Sequence, residues 1–331
     1  MISKIKLENF KCFVEADIDI APMTLLAGLN SSGKSSIIQA LRIANNGKLL
    51  QGYGECVNVN AKIAKIEIIT HKEKQYEIQI TKQGKPQSKN FIENKEFQYI
   101  GADRLGPQVQ LPFRRGDIYS VGEQGEDVLS YINEYYEESG VPEKLRMRGY
   151  ESLSSVKEQI QAWLNIISPE FKFSFLSSKE TDTAFSQYNN FRAKDVGFGL
   201  SYTLPIIAAV IISAYKLQKN KIMVPVIMIE NPEAHLHPSG QTKLGKFLAL
   251  AASCGVQIIA ETHSDHFLNG VRLAAKEKNI AFKDIVIQYM KYNVEEKTSE
   301  NIPIYVDEYG MLDEWPEGFF DQNEKNLLEL L

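Results

Sequence analysis

Apolar and polar residues alternate along several short segments in the first part of the chain. The alternation covers residues 2–7, 14–20, 62–69 and 75–81, and a period of two indicates strands with one buried face. Only a polar run at 71–74 separates the last two segments, which favours a hairpin. We therefore predict an N-terminal lobe of antiparallel strands.

Longer apolar runs replace this alternation further along the chain. Residues 222–229, 256–260 and 285–287 are almost continuously apolar, which is typical of strands buried on both faces of a parallel sheet. A helical pattern at 241–252 lies between two of these runs, so the segments predict β-α-β units. The fold class is therefore predicted as α/β with a mixed sheet.

Helical patterns dominate the middle of the chain. Residues 121–139 are acidic and helix-like, and an apolar helical face runs over 153–167 until Pro169 ends it. No heptad pattern lasts for several turns within 108–195, so a long coiled-coil arm is not expected. We predict a single α/β domain over residues 1–331, with an inserted, mainly helical subdomain at 108–195.

Composition narrows the classes of protein that fit. The 331 residues carry a formal net charge of −5, which disfavours a surface that is basic overall but leaves room for a local basic patch. The longest apolar stretch, 204–214, contains a proline and is too short to span a bilayer. The sequence starts without the apolar run of a signal peptide, and Cys12, Cys56 and Cys254 lack metal-site spacing. We expect a cytoplasmic protein with reduced thiols and no membrane segment.

The most informative stretch is the glycine-rich sequence GLNSSGKS at 28–35. It fits the pattern G-x-x-x-x-G-K-[ST], between a short apolar strand and an amphipathic helix. In that pattern, Gly28 and Gly33 let backbone N–H groups surround phosphates, Lys34 reaches the terminal phosphates, and the Ser35 hydroxyl holds Mg²⁺. The helix that follows favours an anion at its N-terminus. The alternative is a glycine-rich turn that caps a helix and binds nothing.

An apolar strand that ends in an acid gives a second signal. The sequence MIENPEAHLHP at 228–238 places Glu230 at the carboxyl end of a predicted strand, where P-loop enzymes hold Mg²⁺. One carboxylate and the Ser35 hydroxyl suffice as protein ligands, because Mg²⁺ retains several waters. Glu233 lies in the loop beside the same strand end. The alternative is a buried strand followed by an ordinary turn.

A third signal is the sequence IIAETHSDH at 258–266. His263 follows a buried strand that we predict to lie beside the strand of Glu230, which places it within reach of a γ-phosphate or an attacking water. Four of the five histidines fall in these two loops, namely His235, His237, His263 and His266. A transition-metal site built from H-x-H and H-x-x-H is therefore an alternative, and a structural role for His263 is another.

A fourth and weaker signal is DVGFGLSYT at 195–203, which opens an apolar helix. Gly197, Gly199 and Ser201 at the start of this helix would form a second anion-binding end. By spacing alone, a glycine-rich turn into a buried helix fits equally well.

Together, these motifs resemble the ABC-type ATPase heads of the RecF and structural-maintenance-of-chromosomes (SMC) group. They are more similar still to the stand-alone prokaryotic ATPases related to overcoming-lysogenization-defect nucleases. The similar features are, in order, an opening strand, a Walker A loop, a loop near the nucleotide, a divergent signature motif, a Walker B motif with a D-loop, a switch-histidine loop and a C-terminal segment of unknown function. They correspond to IKLENFKCF at 5–13, GLNSSGKSS at 28–36, YIGADRLGP at 99–107, VGFGLS at 196–201, ENPEAHLHP at 230–238, ETHSDH at 261–266 and WPEGFFD at 315–321.

The resemblance covers nearly the whole chain and implies an ABC-type P-loop ATPase head that binds ATP and Mg²⁺. Two heads would dimerise head-to-tail around two ATP molecules, each γ-phosphate meeting the signature segment of the other subunit, and hydrolysis would act as a conformational switch. Lys11 and Phe13 are candidates for contact with the base or ribose. The implied Walker A ligands are Gly28, Asn30, Ser31, Ser32, Gly33, Lys34, Ser35 and Ser36.

One position departs from the family pattern. ABC-type heads usually carry a glutamate directly after the Mg²⁺-binding acid as the general base, whereas this chain has Asn231, which cannot accept a proton. We hypothesise that Glu233 substitutes as the base. His263 is an alternative, and slow hydrolysis with a long-lived ATP-bound dimer is another.

The leading functional hypothesis is an ATPase that dimerises around ATP and switches a partner effector, in antiphage defence or DNA transactions. The 68 residues after His263 lack the acid cluster of the nuclease domain fused to related ATPases, so a nuclease effector would be a separate chain.

One alternative is a nearly inactive ATP-gated dimerisation scaffold, and GTP in place of ATP also stays open. Another is a RecF-like DNA-binding repair ATPase, with a basic face drawn from Arg104, Arg114, Arg115, Lys144, Arg146 and Arg148.

Overall fold

The computed structural model describes residues 1–47, 53–83, 86–88, 90–169, 171–220, 223–316 and 318–330. The strands are β1 Ile2–Phe10, β2 Phe13–Asp19, β3 Met23–Gly28, β4 Ile63–Thr70, β5 Gln75–Thr81, β6 Gln87–Ser88, β7 Phe97–Ile100, β8 Leu111–Pro112, β9 Phe173–Ser178, β10 Thr183–Tyr188, β11 Phe191–Arg192, β12 Val226–Glu230, β13 Gln257–Glu261, β14 Ile285–Asn293 and β15 Thr298–Tyr305. The helices are α1 Lys34–Asn46, α2 Val128–Tyr135, α3 Val156–Ile167, α4 Phe198–Gln218, α5 Pro238–Ser253, α6 Asp265–Lys276 and α7 Gln322–Leu330.

The chain divides into two compact units, and each contains part of the predicted chemistry. The first unit combines Met1–Asn94 with Ala281–Leu331, and the second is Lys95–Ile280. The first unit therefore holds the glycine-rich loop, and the second holds the polar strand ends at Glu230 and Glu261. The boundaries predicted for a single domain with an insert at 108–195 remain a prediction.

The N-terminal lobe of the first unit is an antiparallel sheet, as the alternating pattern predicted. Strands β2, β1, β4, β5 and β6 lie side by side in that order, and the predicted hairpin joins β4 to β5 with Ile66 opposite Ile78. Alternate residues such as Ile5, Leu7 and Ile66 are buried while their neighbours face solvent. Burial of one face of each strand explains the period of two in the sequence.

The strand that precedes the glycine-rich loop lies outside the N-terminal lobe of the first unit. Strand β3 pairs in parallel with β14, and β14 pairs antiparallel with β15, so the strand pairing here is mixed. Five of the six residues of β3 are buried, as expected for a strand covered on both faces. The α/β fold class with a mixed sheet and an N-terminal antiparallel lobe is confirmed.

The second unit contains the predicted parallel strands. Strand β12 lies between β13 and β7 and pairs in parallel with both. The apolar run predicted to begin at residue 222 gives a strand only from Val226, directly after Pro225, and residue 222 itself lies outside the described residues. Helices α5 and α6 follow β12 and β13 and pack against each other through Gly245 and Gly270, which completes the β-α-β pattern.

The segment 108–195, predicted as mainly helical, contains α2 and α3 together with the antiparallel strands β8 to β11. Helix α2 begins at Val128 and not at residue 121, because Gly122 and Gly125 adopt φ angles of 85° and 84° that a right-handed helix excludes. Helix α3 begins where Ser155 and Glu158 form a capping box.

The expectation that the longest apolar segment is too short to span a membrane is wrong for helix α4. With 21 residues it is long and apolar enough to cross a bilayer, but 78% of its most apolar window is buried within the protein. The helix continues through Pro205, whose ring packs beside Gly125, where a side chain would not fit. Burial, and not insufficient length, therefore indicates a core helix.

Candidate functional site

The glycine-rich loop of the first unit has the backbone geometry that its sequence pattern requires. Gly28 and Gly33 have φ angles of 139° and 110°, in a region where side chains are strained. A Cβ atom on Gly28 would lie 2.3 Å from the carbonyl oxygen of Met290, and one on Gly33 would lie 2.8 Å from the Phe13 ring. No side chain fits at either position, so the loop keeps its backbone close to β14 and to Phe13.

The Lys34 side chain is hydrogen-bonded to the glycine-rich loop that precedes it. Its Nζ donates hydrogen bonds to the carbonyl oxygens of Gly28 and Leu29, both at 3.0 Å, and its side chain is buried. Helix α1 begins at Lys34 with Gly33 as N-cap and with no side chain capping its first turn. An ammonium group and an uncapped helix N-terminus thus lie side by side, and both favour an anion.

The remaining loop residues supply hydroxyl and amide groups. Asn30, Ser31 and Ser35 are exposed, whereas the Ser32 hydroxyl is buried and has no hydrogen-bond partner among the described residues. Ser36 is buried, with its oxygen 3.7 Å from the Cys12 sulfur. An orphaned hydroxyl beside Lys34 fits a loop that binds phosphate, because phosphate oxygens would accept its hydrogen bond.

Phe13 has a different role from the one proposed for it. Its side chain is fully buried and touches the position of Gly33, so the ring supports the loop from the protein interior and has no exposed face for a nucleotide base. Lys11 is partly exposed, with a φ of 52°. Of the two candidates, only Lys11 stays available for a contact with the base or ribose.

The second unit brings together the acids and the histidine that the sequence predicted at strand ends. Glu230 is opposite Glu261 in the parallel register of β12 and β13, which confirms that these two strands are neighbours. Asn231 follows with a φ of 45° and donates its N–H to the Glu261 carbonyl at 2.9 Å. His263 leaves β13 at the same edge, because parallel strands end on the same side of a sheet.

Glu233 lies in the turn after β12 and is tied to His263. Its Oε1 accepts a hydrogen bond from the His263 backbone N–H at 2.9 Å. Burial raises the pKa of Glu233 above the ordinary 4.5, although the His263 N–H and the positive charge of Arg104 act in the opposite direction. A carboxylate with a raised pKa at this position is a better proton acceptor than an ordinary glutamate.

Arg104 is a residue whose importance the sequence did not show. It was assigned to a basic surface face, but it is 2% exposed. Its guanidinium donates to the carbonyl oxygens of Gly101 and Glu230, both at 2.7 Å, and of Asn231 at 2.6 Å. In the sequence, only its position within YIGADRLGP pointed to a role for Arg104. Its contacts with Glu230 and Asn231 join segments that are more than 120 residues apart.

The start of α4 only partly matches the predicted signature segment. Gly197 is the N-cap and has no side-chain cap bond, and Gly199 lies against the His235 carbonyl, 2.9 Å from where its Cβ would be. The Ser201 hydroxyl, however, is buried and lines a small cavity together with Tyr188. The helical register thus turns the Ser201 hydroxyl inward, and its contact with a nucleotide stays a prediction.

The histidines do not form the alternative metal site. Among the described residues there is no group of three or more His, Cys, Asp or Glu side chains suited to a metal ion. His235 packs between the Phe198 and Tyr202 rings, at 5.1 and 4.5 Å between centroids. His237 instead caps α5, its Nδ1 accepting the Ser239 N–H at 3.4 Å.

The residues predicted to hold Mg²⁺ offer the oxygen atoms that this ion prefers. Ser35 presents an exposed hydroxyl in the first unit. In the second unit, Glu230 is half-buried, and its Oε2 accepts the Ala102 N–H at 3.3 Å. A hydroxyl and a carboxylate fit the hard-oxygen preference of Mg²⁺.

Comparisons with known proteins agree with this geometry. The family described as "AAA ATPase domain" matches residues 1–104 and 122–268. A second family, described as "Protein of unknown function (DUF3696)", matches residues 282–330. No curated protein matches the chain.

Solved structures share the fold at low sequence identity. The SMC head domain from Thermotoga maritima is 12% identical, with a TM-score of 0.54 over 92% of this chain and 99% of that one. An Smc head domain with an extended coiled coil, bound to the C-terminal domain of ScpA and derived from Pyrococcus furiosus, is 13% identical, with a TM-score of 0.57 over 99% of both chains. At this identity, the likeness shows the fold alone.

Proposed function

This chain belongs to the AAA ATPase domain family and has the ABC-type fold of SMC heads, and from that premise we propose that it binds ATP and hydrolyses it with Mg²⁺. The observation that carries the proposal is the glycine-rich loop. It places the Lys34 ammonium, the orphaned Ser32 hydroxyl and the uncapped start of α1 around one backbone turn. These are the groups that a triphosphate requires.

Each group has a defined part in the reaction. Lys34 would exchange the Gly28 and Leu29 carbonyls for phosphate oxygens, and Ser32 and the N–H groups of the loop would bind the same anion. Glu230 and Ser35 would hold Mg²⁺, which supplies positive charge to the phosphates. Water attacks the γ-phosphorus, the bond from that phosphorus to the ADP oxygen breaks, and Glu233 takes the proton of the water.

Glu233 is favoured over His263 as the base for a structural reason. Asn231 has no proton-accepting group, and the His263 side chain is exposed, whereas the Glu233 carboxylate is held by the His263 N–H and has a raised pKa. A general base works best when its pKa lies closer to the operating pH.

We also propose that ATP joins two copies of the chain head-to-tail. The start of α4 would face the nucleotide of the other copy, with the N–H groups after Gly197 as donors in place of the buried Ser201 hydroxyl. The switch would act on a separate effector protein in the cytoplasm, in antiphage defence or DNA transactions. The Smc head with an extended coiled coil is bound to the C-terminal domain of ScpA, which supports a protein partner for this chain. The DNA-binding alternative loses Arg104 from its basic face, because that side chain is buried.

The test uses the purified full chain and its Lys34→Ala variant. We expect Mg-ATP to give a binding signal in calorimetry, phosphate release above background, and a doubling of mass in light scattering; all three should be lost in Lys34→Ala. Folded wild-type protein that gives no heat with Mg-ATP would overturn the proposal. Binding and doubling of mass without phosphate release would instead support the nearly inactive scaffold, for which Asn231 is the specific argument.

A further inference from the structure

Three backbone carbonyls surround the buried guanidinium of Arg104, and two of them belong to the acid loop, which we define as residues 230–233. Nη1 donates to the Glu230 carbonyl at 2.7 Å and Nη2 donates to the Asn231 carbonyl at 2.6 Å. Nη1 also donates to the Gly101 carbonyl at 2.7 Å, which closes the turn that carries Arg104. These charge-assisted bonds fix two consecutive peptide groups, one on either side of the Asn231 Cα atom.

The segment that carries Arg104 is itself anchored. The Gly101 N–H donates to the Glu123 carbonyl and the Leu105 N–H donates to the Gln124 carbonyl, both at 2.8 Å. The Ala102 N–H donates to Glu230 Oε2 at 3.3 Å. The segment 101–105 therefore contacts Glu230 at two points. The Ala102 N–H binds the Glu230 carboxylate, and the Arg104 guanidinium binds the Glu230 carbonyl.

Arg104 holds the acid loop without neutralising its carboxylates. Its charge interacts with Glu233 and Glu230, yet no ion pair within 4.0 Å joins it to either carboxylate in the described part of the chain. Burial lowers the pKa of Arg104 to about 10, so the group is still a cation at neutral pH. A direct ion pair would compete with a metal ion or a proton for these oxygens, whereas bonds to carbonyls leave them available.

The same guanidinium also contacts the start of α4. Its carbon atom lies 5.3 Å from the centre of the Tyr202 ring, a distance at which a cation is attracted to an aromatic face. Tyr202 in turn packs edge-on against His235 at 4.5 Å between centroids. Arg104 thus contacts both the acid loop and the helix whose start we assign to nucleotide recognition.

We propose that Arg104 is a positioning residue, which sets the acid loop for catalysis by binding the Glu230 and Asn231 carbonyls. The proposal rests on the proposed ATPase function for its kinetic consequence but not for its structural one. Lysine carries the same charge without the planar fork of donors, so Arg104→Lys should misplace the loop. A misplacement of about 1 Å is enough to lower turnover roughly a hundredfold.

The experiment compares the wild-type full chain with Arg104→Lys and Arg104→Gln, and uses Arg192→Gln as the control. Arg192 is an exposed arginine of the same unit, and its guanidinium lies over the Phe185 ring. The first measurement is hydrogen–deuterium exchange of a peptide covering residues 228–237 in the nucleotide-free protein. This segment contains the N–H groups of Ala234 and Leu236, which are bonded within the turn, and that of Asn231, which is bonded to the Glu261 carbonyl. The second is kcat and KM for ATP.

We expect both Arg104 variants to exchange at least about fivefold faster in this peptide alone. We also expect kcat to fall ten- to hundredfold while KM stays within about threefold, with no change in Arg192→Gln. Unchanged exchange in Arg104→Lys and Arg104→Gln would overturn the proposal, whether or not the wild type hydrolyses ATP. Faster exchange with an unchanged kcat would overturn it too, and so would exchange that rises throughout the unit in both variants. A wild type without turnover would count against the proposed function, and the exchange result alone would then decide the role of Arg104.

Discussion

The carboxylate of Glu233 accepts the backbone N–H of His263 at 2.9 Å, so the two residues that compete for the role of general base are joined by a hydrogen bond. The bond runs to the backbone of His263 and not to its ring. The His263 side chain can therefore be replaced without removing this bond, whereas a replacement of Glu233 keeps it only if the new side chain has an acceptor oxygen.

Glu233→Gln should abolish most of the ATP turnover. Glutamine keeps an oxygen for the His263 N–H but cannot accept a proton, so we expect kcat to fall by about 10²- to 10⁴-fold. The nucleotide dissociation constant should stay within about threefold. Phosphate release and calorimetry measure the two quantities, and His263→Gln is the matched control. An unchanged kcat in Glu233→Gln, with a collapse in His263→Gln, would assign the base to His263.

The raised pKa of Glu233 predicts a specific pH dependence. Because the base must be ionised, kcat should fall as pH decreases through a pKa above the ordinary 4.5. This acid limb should be missing from the residual activity of Glu233→Gln. The folded state also holds this proton more tightly than the unfolded state, so stability should decrease as pH rises from the unfolded pKa to the folded one. A pH–rate profile with the same limb in both proteins would contradict the assignment.

Gly28→Ala should damage the phosphate loop. A Cβ atom there would lie 2.3 Å from the Met290 carbonyl at a φ of 139°, so β3 and β14 must separate locally. We expect a loss of about 1–3 kcal/mol in the free energy of unfolding, together with a loss of measurable nucleotide binding. Gly197→Ala is the control, since nothing lies within 4 Å of its Cβ position, and its stability should change by less than about 1 kcal/mol. Equal stability loss in both variants would contradict this account.

A buried ion pair in the second unit predicts a large effect on stability. Lys216 Nζ lies 2.5 Å from Glu96 Oε1, and both side chains are buried. Lys216→Met would leave a carboxylate buried without its cation, so urea denaturation should show a loss of about 3–5 kcal/mol. The double variant Lys216→Met/Glu96→Met should recover much of that loss. The exposed pair of Lys194 and Asp195 provides the control, because Lys194→Met should cost under about 1 kcal/mol.

The sequence predicted the features that follow from local pattern. Continuous apolar runs predicted the neighbouring parallel strands β12 and β13, and this pairing brings Glu230 close to the segment of His263. Alternation predicted the hairpin of β4 and β5. Glycines at fixed spacing predicted a tight turn. In the structure, Gly28 and Gly33 in this turn have positive φ angles.

The features that the sequence did not predict depend on three-dimensional packing. In the sequence, Arg104 resembles an ordinary surface charge, because two of its three carbonyl partners are remote in sequence and carry no side-chain signal. Ser201 reads as an exposed ligand until the helical register places its hydroxyl inside. From the sequence, Phe13 was likewise predicted to contact the base. In the structure, the Phe13 ring is buried and packs against Gly33.

The pairing of β3 with β14 has a consequence for synthesis on the ribosome. The Met23–Gly28 strand is made early, but its parallel neighbour Ile285–Asn293 emerges more than 250 residues later. At about 5–20 residues per second, that interval is roughly 13–50 s. The nascent glycine-rich turn lacks the Met290 carbonyl that it packs against for all of this time. We therefore expect the glycine-rich loop to become able to bind nucleotide only late in translation. A growing chain would then have little opportunity to bind ATP before it is complete.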